Sequence, residues 1–333
     1  MSPLAKFMHS DARIEHFFSA LVGGWATIFT LHRSTPPNGS YEGIDPVFLA
    51  ECLTYAQAQG YEFVSLDELV ERALRGDSLK RCLCFTLDDG FADQLDVLIP
   101  VLLRYNAKPT LFVITDLVDG VDWPWDNQLA YMCWHAQPGH YVLEVNAQPV
   151  SIDLTNNESR KKSRRLLTRM AKEMKRPEII QLISQVQNVL HVDAPPSAPV
   201  EYQPTTWQQL RDYESQGLRV GCHTKTHFTF SALSDEEIMH ELNFSKQRLI
   251  DEMMNPSAIF CYPSGTQKDF SERHEPLVQR AGFLAAVSTL SKNTCTKAIQ
   301  AAPYRIQRIG MPQTLNHFIR YTSWFEYLRG RMG

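Results

Sequence analysis

Two adjacent carboxylates, Asp88 and Asp89, stand at the end of an apolar run, Cys82 to Leu87, and are followed at once by Gly90. Side by side they repel each other unless positive charge sits close by. The glycine frees the backbone for a tight turn that presents both at the rim of a sheet, where parallel sheets keep their chemistry. An Asp-Gly turn that merely caps the next helix uses the same residue types. A second cluster far downstream gives the pair more weight: Gly221-Cys222-His223-Thr224-Lys225-Thr226-His227, again behind an apolar run. His223 and His227 are four residues apart, so on a helix or in a turn opening one they lie on one side. Neutral imidazoles and a carboxylate suit Zn²⁺ or a similar divalent ion, and three protein ligands with an open position define a catalytic site. Together the clusters supply two imidazoles and one carboxylate to a metal and leave one carboxylate over as a base. The competing reading of His-x₃-His is a pair of surface or core histidines without metal.

The elements that must position these residues follow a βαβ rhythm. Trp25 to Leu31 reads as a buried strand ending in His32-Arg33, behind a leading helix over residues 1–20. Asp45-Pro46 starts a helix that Gly60 ends, with Asp45 as N-cap. Ser65-Leu66-Asp67-Glu68 is a capping box opening the next. Strand Cys82–Leu87, a helix from Ala92 to Tyr105 and strand Thr110–Ile114 continue the alternation, which implies a mostly parallel sheet with right-handed crossovers. The rhythm breaks between Asp119 and Tyr202. A hairpin-like stretch from Tyr141 to Leu154 and a basic, helix-prone segment from Glu158 to His191 form an insertion closed by a Pro-rich linker. The charge run Arg160-Lys161-Lys162 with Arg164-Arg165 reads as a solvated helix face. Alternation resumes with Thr205 as an N-cap, a strand Leu218–Gly221, a capping box at Ser234-Asp235-Glu236-Glu237 and a strand Ala258–Tyr262 running into Pro263-Ser264-Gly265. Strands at Leu284–Val287 and Arg305–Ile309 and a C-terminal helix finish the chain.

With 333 residues, 44% hydrophobic and 21% charged, the chain has the balance of a globular enzyme with a large core. A net charge of −4 leaves no footprint for nucleic acid. Seven scattered cysteines without a Cys-x-x-Cys pair read as reduced, mostly buried thiols. Asp11, Arg13, Glu15 and His16 interrupt the N-terminal region before any apolar core long enough for export. The apolar stretch from Phe17 to Leu31 is too short to span a bilayer, although contact with a membrane surface stays open. The expected location is the cytoplasm.

The motifs resemble those of the polysaccharide deacetylases, metal-dependent hydrolases of N-acyl and O-acyl groups on sugars. Thr86-Leu87-Asp88-Asp89-Gly90 is close to that family's Thr-Phe-Asp-Asp-Gly, His223-Thr224-Lys225-Thr226-His227 matches His-Ser/Thr-x-x-His, and Tyr262-Pro263-Ser264-Gly265 is similar to the third motif. The resemblance covers residues 25–120 and 203–310. It implies a single domain over 1–333, a distorted (β/α) barrel of seven or eight strands, with residues 120–203 as an inserted α-rich cap. It further implies that Asp89, His223 and His227 hold a divalent metal ion, Zn²⁺ first, and that Asp88 is the general base toward the attacking water. The Ser264 backbone N–H, in the Pro263-Ser264-Gly265 turn, is then the oxyanion donor.

The chain also departs from the family's common pattern. Cys261 stands where an Arg usually orients the base, Ala285 to Thr289 lacks the usual acidic residue and Trp, and the late Leu-x-His that supplies the acid is missing around Arg308 to Met311. A branch of the family with an early strand-end His-Arg resembles this chain better, which makes His32 the candidate general acid, with His317 and Arg308 behind it. Arg33, Trp123, Trp125 and Tyr262 are candidate substrate contacts, the tryptophans either stacking on a sugar ring or anchoring the insertion and Tyr262 either a pocket wall or plain core. The implied activity is removal of an acetyl or formyl group from an amino sugar, nucleotide-linked or lipid-linked, in a surface-polysaccharide pathway. A sugar-binding relative without activity and an amidohydrolase for a small non-sugar amide are the alternatives.

Overall fold

The computed structural model describes residues 24–36, 43–145 and 148–332. The helix expected over residues 1–20 lies outside them. In chain order the first half holds β1 (Ala26–Leu31), α1 (Pro46–Ala58), β2 (Glu62–Phe63), α2 (Leu66–Arg75), β3 (Cys82–Asp89), α3 (Ile99–Arg104), β4 (Thr110–Val113) and α4 (Thr115–Val118). Next come α5 (Trp125–His135), a hairpin of β5 (His140–Val145) and β6 (Gln148–Asp153), α6 (Asn157–Ala171) and α7 (Arg176–Leu190). The last part holds α8 (Trp207–Glu214), β7 (Arg219–Cys222), α9 (Asp235–Glu252), β8 (Ile259–Cys261), α10 (Glu275–Arg280), β9 (Ala285–Val287), α11 (Thr296–Ala301), β10 (Ile309–Gly310), α12 (Leu315–Thr322) and α13 (Trp324–Met332).

An eight-stranded sheet runs in the order β10-β1-β3-β4-β7-β8-β9, with β2 paired to the start of β3 and every pairing parallel. It curls into a half-barrel, and the segment leading into β10 spans the open side. Ile306 exchanges backbone hydrogen bonds with β9 through Ala286 and Ser288, and three residues later Ile309 pairs with Phe29 of β1. Arg308 is thereby carried into the interior.

Period-two alternation sorts the strands into two faces. Leu83, Phe85 and Leu87 of β3 face outward into one cluster with Leu49, Leu53 and Leu98. Cys82 and Cys84 face inward with Ile28, Phe112, Ile259, Cys261 and Val287, and α2 with Ile299 of α11 plugs that cluster from one end. The inward row of β3 therefore reads Cys82, Cys84, Thr86, Asp88, apolar at the plugged end and polar at the other. Gly221 of β7 faces Phe112, whose ring would lie 2.6 Å from any Cβ there. The glycine leaves room for that ring, which sits under the Arg308 guanidinium at 5.8 Å.

Local signals act as the sequence implies, with four differences. The strand expected at Arg305–Ile309 shrinks to β10, Ile309–Gly310, behind a 3₁₀ turn over Pro303–Arg305. Asp45 and Ser234 cap α1 and α9 through their side chains, and Ser234 with Glu237 completes its box. The cap of α8 is Thr206, not Thr205: Thr206 Oγ1 accepts the Gln209 N–H, while Thr205 is buried. The helix after Asp89 opens with a π turn, Gln94–Leu98, before α3. At α2 only half of the expected box forms, because the Glu68 carboxylate is taken by Arg72 and Lys108. All seven cysteines are free thiols, six of them buried. Among the described residues no helix is long and apolar enough to cross a membrane.

Candidate active site

Parallel pairing puts the ends of β3, β7 and β8 on one edge of the sheet, so both motif clusters and the Pro263 turn meet there. Asp89 Oδ1 lies 3.5 Å from His227 Nε2 and 3.7 Å from His223 Nε2, and all three donors fall within 4.8 Å of one another. Ligand atoms about 2.0–2.1 Å from a tetrahedral ion stand roughly 3.3 Å apart, so the three need only close slightly. The donor set fits a divalent ion such as Zn²⁺.

Each imidazole is oriented from behind. His223 Nδ1–H donates to the Cys261 carbonyl at 2.9 Å, which directs Nε2 with its lone pair toward Asp89. Burial pushes the His223 pKa down to about 3, so the ring is neutral at pH 7. His227 Nδ1 faces Asp126 Oδ1 at 3.5 Å, and neither buried atom has a hydrogen-bond partner among the described residues. Burial disfavours the His227 cation, but Asp126 and Asp89 outweigh it and raise the pKa. Burial also raises the Asp89 carboxyl, against the charges of His227 and His32. A cation placed among these groups would hold Asp89 ionised.

Asp88 is fixed differently. Its Oδ1 and Oδ2 accept from Arg308 Nη1 and Nη2, each at 2.7 Å, with both side chains buried. Burial alone would raise the Asp88 carboxyl; the Arg308 charge and its two hydrogen bonds reverse that and hold it well below the usual carboxylate range. Arg308 also donates to Thr86 Oγ1 and the Ser288 carbonyl and touches Cys261 Sγ at 3.1 Å. A guanidinium from the closing segment thus occupies the space beside Cys261, the position at which the family pattern has its Arg. Asp88, His223 and Cys261 also converge as a second donor group, but Arg308 already takes both Asp88 oxygens and the sulfur. The candidacy of Arg308 as an acid is corrected here: it is a permanently charged partner of Asp88.

The backbone at the site is unusual. Asp89, Thr224, His227 and Ser264 all have positive φ, at 90°, 69°, 64° and 59°. The histidines therefore sit in a left-handed turn and not on a helix, and buried hydrogen bonds hold that turn. The Glu241 carboxylate of α9 accepts the N–H groups of Lys225 and Thr226 at 2.9 and 2.8 Å and the Thr226 hydroxyl at 2.6 Å. Lys225 reaches Asp116 of α4 at 2.7 Å. On the other side, Gln94 Oε1 accepts the N–H groups of Gly90 and Phe91, and its Nε2 donates to the carbonyls of His32 and Asp88. That single amide ties the ends of β1 and β3 together.

His32 lies one residue past β1, exposed, and near enough for its charge to act on both Asp88 and Asp89. Arg33 lines the same cavity as Asp89 while pairing with Asp93 at 2.6 Å. The Ser264 N–H has no acceptor among the described residues. His317 is on α12 and joins none of these contacts. At three candidate sugar contacts the structure shows the alternative reading, a buried anchor or core residue in place of a ring that stacks on sugar. Trp123 is 3% exposed, donates to the Pro195 carbonyl and packs on Tyr202, pinning the linker. Trp125 is 4% exposed and donates to the His227 carbonyl, anchoring α5 on the site. Tyr262 stacks on Phe270 at 3.9 Å in the core. Asp126, Glu241 and Gln94 escaped sequence reading; their only signals are polar residues at positions where a buried helix face would be apolar.

The curled parallel sheet is the half-barrel fold of the deacetylase structures that this chain resembles, and a possible Asp-His-His metal site stands at its strand ends. Residues 156–286 match the family model described as polysaccharide deacetylase, which bears out the resemblance read from the motifs. The matched stretch begins inside the cap and holds the histidine pair. No curated protein matches the chain in sequence. Among solved structures, Streptococcus pyogenes deacetylase PplD, in complex with acetate, aligns with a TM-score of 0.59 at 15% identity, covering 90% of this chain and 97% of its own. IcaB from Ammonifex degensii aligns with a TM-score of 0.57 at 15% identity and the same 90% and 97% coverage. The BpsB deacetylase domain from Bordetella bronchiseptica gives 0.51 at 12% identity, covering 86% and 95%. At these identities the structural likeness establishes the fold.

Proposed function

We propose that this chain is a divalent-metal amidohydrolase that removes an acetyl or formyl group from an amino sugar. The observation that carries the reading is the convergence of Asp89, His223 and His227 beside a second, separately held carboxylate, Asp88. A bound Zn²⁺ or similar ion supplies Lewis-acid polarisation of the acyl carbonyl and acidifies water. Asp88 takes the proton of the attacking water. Arg308 occupies one lone pair on each Asp88 oxygen and the Thr30 hydroxyl donates to Oδ2 at 3.4 Å, which leaves Oδ1 with a lone pair free to accept. The Ser264 N–H steadies the oxyanion, and His32 protonates the departing amine. Arg33 contributes to substrate binding from the cavity wall. We place the activity in the cytoplasm, on a precursor of a surface polysaccharide.

The test is acetate and formate release from N-acyl amino sugars by Zn²⁺- or Co²⁺-loaded protein. Asp88→Asn should lower turnover by about 10²–10⁴ while metal content is kept. An Asp88→Asn enzyme as fast as wild type would sink the mechanism. Release only from small non-sugar amides would move the substrate class, and no release at all would favour a sugar-binding protein.

A further inference from the structure

The helix read as a solvated charged face is solvated only in part: Lys162, Arg165 and Arg169 are exposed, while Lys161 and Arg164 are half-buried and Arg160 is buried. α6 carries six cations, Arg160, Lys161, Lys162, Arg164, Arg165 and Arg169, against a single acid, Glu158. Arg160 is buried and donates to the Cys133, Trp134 and Ala136 carbonyls at the end of α5, so its role is to fasten the cap. Lys161, Arg164 and Arg165 instead line a cavity of about 270 Å³ whose wall also contains Asp89. Lys161 and Arg164 are half-buried, and among the described residues none of the three forms an ion pair. A second cavity of about 260 Å³ shares Arg164 and Arg165 and adds Arg169, together with Lys172 and Lys268, which pair with Asp269 and Glu173 of the same wall at 3.8 Å each. The arginines of α6 thus continue from the Asp89 cavity into its neighbour.

Like charges three and four residues apart on a helix destabilise it, and partial burial strengthens the repulsion. Lys161 with Arg164, and Lys161 with Arg165, are such pairs. Half-buried Lys161 and Arg164 and exposed Arg165 border a cavity that reaches the candidate site at Asp89, where a bound anion would reverse the sign of their contribution. Guanidinium forks match the paired oxygens of a phosphate or carboxylate. We propose that the substrate carries an oxyanion next to the acylated amino group, a phosphate ester or a sugar carboxylate, and that Lys161, Arg164 and Arg165 bind it. This deepens the amidohydrolase reading and rests on it for the position of the scissile bond.

The experiment uses metal-loaded full-length protein and three probes: N-acetylglucosamine, its 1-phosphate, and N-acetylmuramic acid, which carries a carboxylate. Acetate release is followed at low and high salt, and equilibrium binding of each probe by calorimetry. Wild type should favour a charged probe by about tenfold or more in kcat/KM, and the preference should shrink in high salt. The phosphate and carboxylate arms tell which oxyanion fits. Arg164→Gln combined with Lys161→Gln should abolish the preference, Arg164→Lys should restore part of it, and Lys162→Gln, exposed and outside both cavities, should keep it. Equal kcat/KM for all three probes would overturn the oxyanion site and leave the hydrolase standing. Tight binding of a charged probe without any acetate release would uphold the site and remove the hydrolase. Failure of both charged probes to bind better than the neutral sugar would overturn the proposal regardless of turnover.

Discussion

Arg308 and Asp88, 220 residues apart in sequence, meet as a buried fork, two hydrogen bonds of 2.7 Å in parallel. Neither partner is tolerable alone: a lone buried guanidinium or carboxylate carries a desolvation cost that only its opposite offsets. The pair also joins the segment that closes the half-barrel to the strand that carries the motif. One contact thus both closes the fold and positions the Asp88 carboxylate.

Arg308→Met should therefore destabilise the protein by about 3–5 kcal/mol, because it leaves the Asp88 charge buried without a partner. Urea unfolding measures this. Asp88→Asn combined with Arg308→Met should recover much of the loss; a double variant as unstable as the sum of the two would refute the coupling.

His227→Ala should empty the metal site. Elemental analysis after dialysis should find about one divalent ion per wild-type chain and close to none in the variant. Added Zn²⁺ should raise the melting temperature of wild type alone, since only a native site converts binding into stability. Metal retained by the variant would disqualify His227 as a ligand.

His32→Gln should reduce kcat by about 10²–10⁴ with little change in metal content. A general acid acts on the departing amine alone, so an acyl ester with a good leaving group should be cleaved by the variant at close to the wild-type rate. An equal loss on that ester would make His32 a structural residue.

His274 sets a pH limit on stability away from the site. It is 3% exposed, and its Nδ1 accepts the Ser271 N–H at 3.0 Å. Burial, aided by Arg273, depresses its pKa from 6.5 to about 4. The unfolded chain thus takes up a proton between about pH 6.5 and 4 that the folded chain refuses, and stability falls as pH drops through that window. The loss should reach about 2 kcal/mol, and His274→Asn, which keeps an acceptor but does not titrate, should flatten it. Denaturation midpoints at pH 7 and pH 4.5 compare the two.

Much of the site was legible before any coordinates, because the motifs are local. Asp88-Asp89-Gly90 and His223 to His227 are each a strand end plus a turn, and parallel strands bring such ends to one edge. Capping residues and the hairpin at 140–153 follow from patterns within a few residues of each other. Contacts made across the barrel were not legible. No spacing in the chain announces that Arg308 replaces a missing arginine beside Cys261, that Asp126 backs His227, or that Glu241 holds the turn between the histidines. Trp123 and Trp125 and the cations of α6 show the same limit from the other side: their residue types fit either a ligand or a neighbour. The sequence by itself determined which groups are available and at which strand ends they sit, since hydrophobic period and turn chemistry act locally. Only the tertiary structure decided which charges are paired and which face a cavity, because burial and distance between remote segments set those energies.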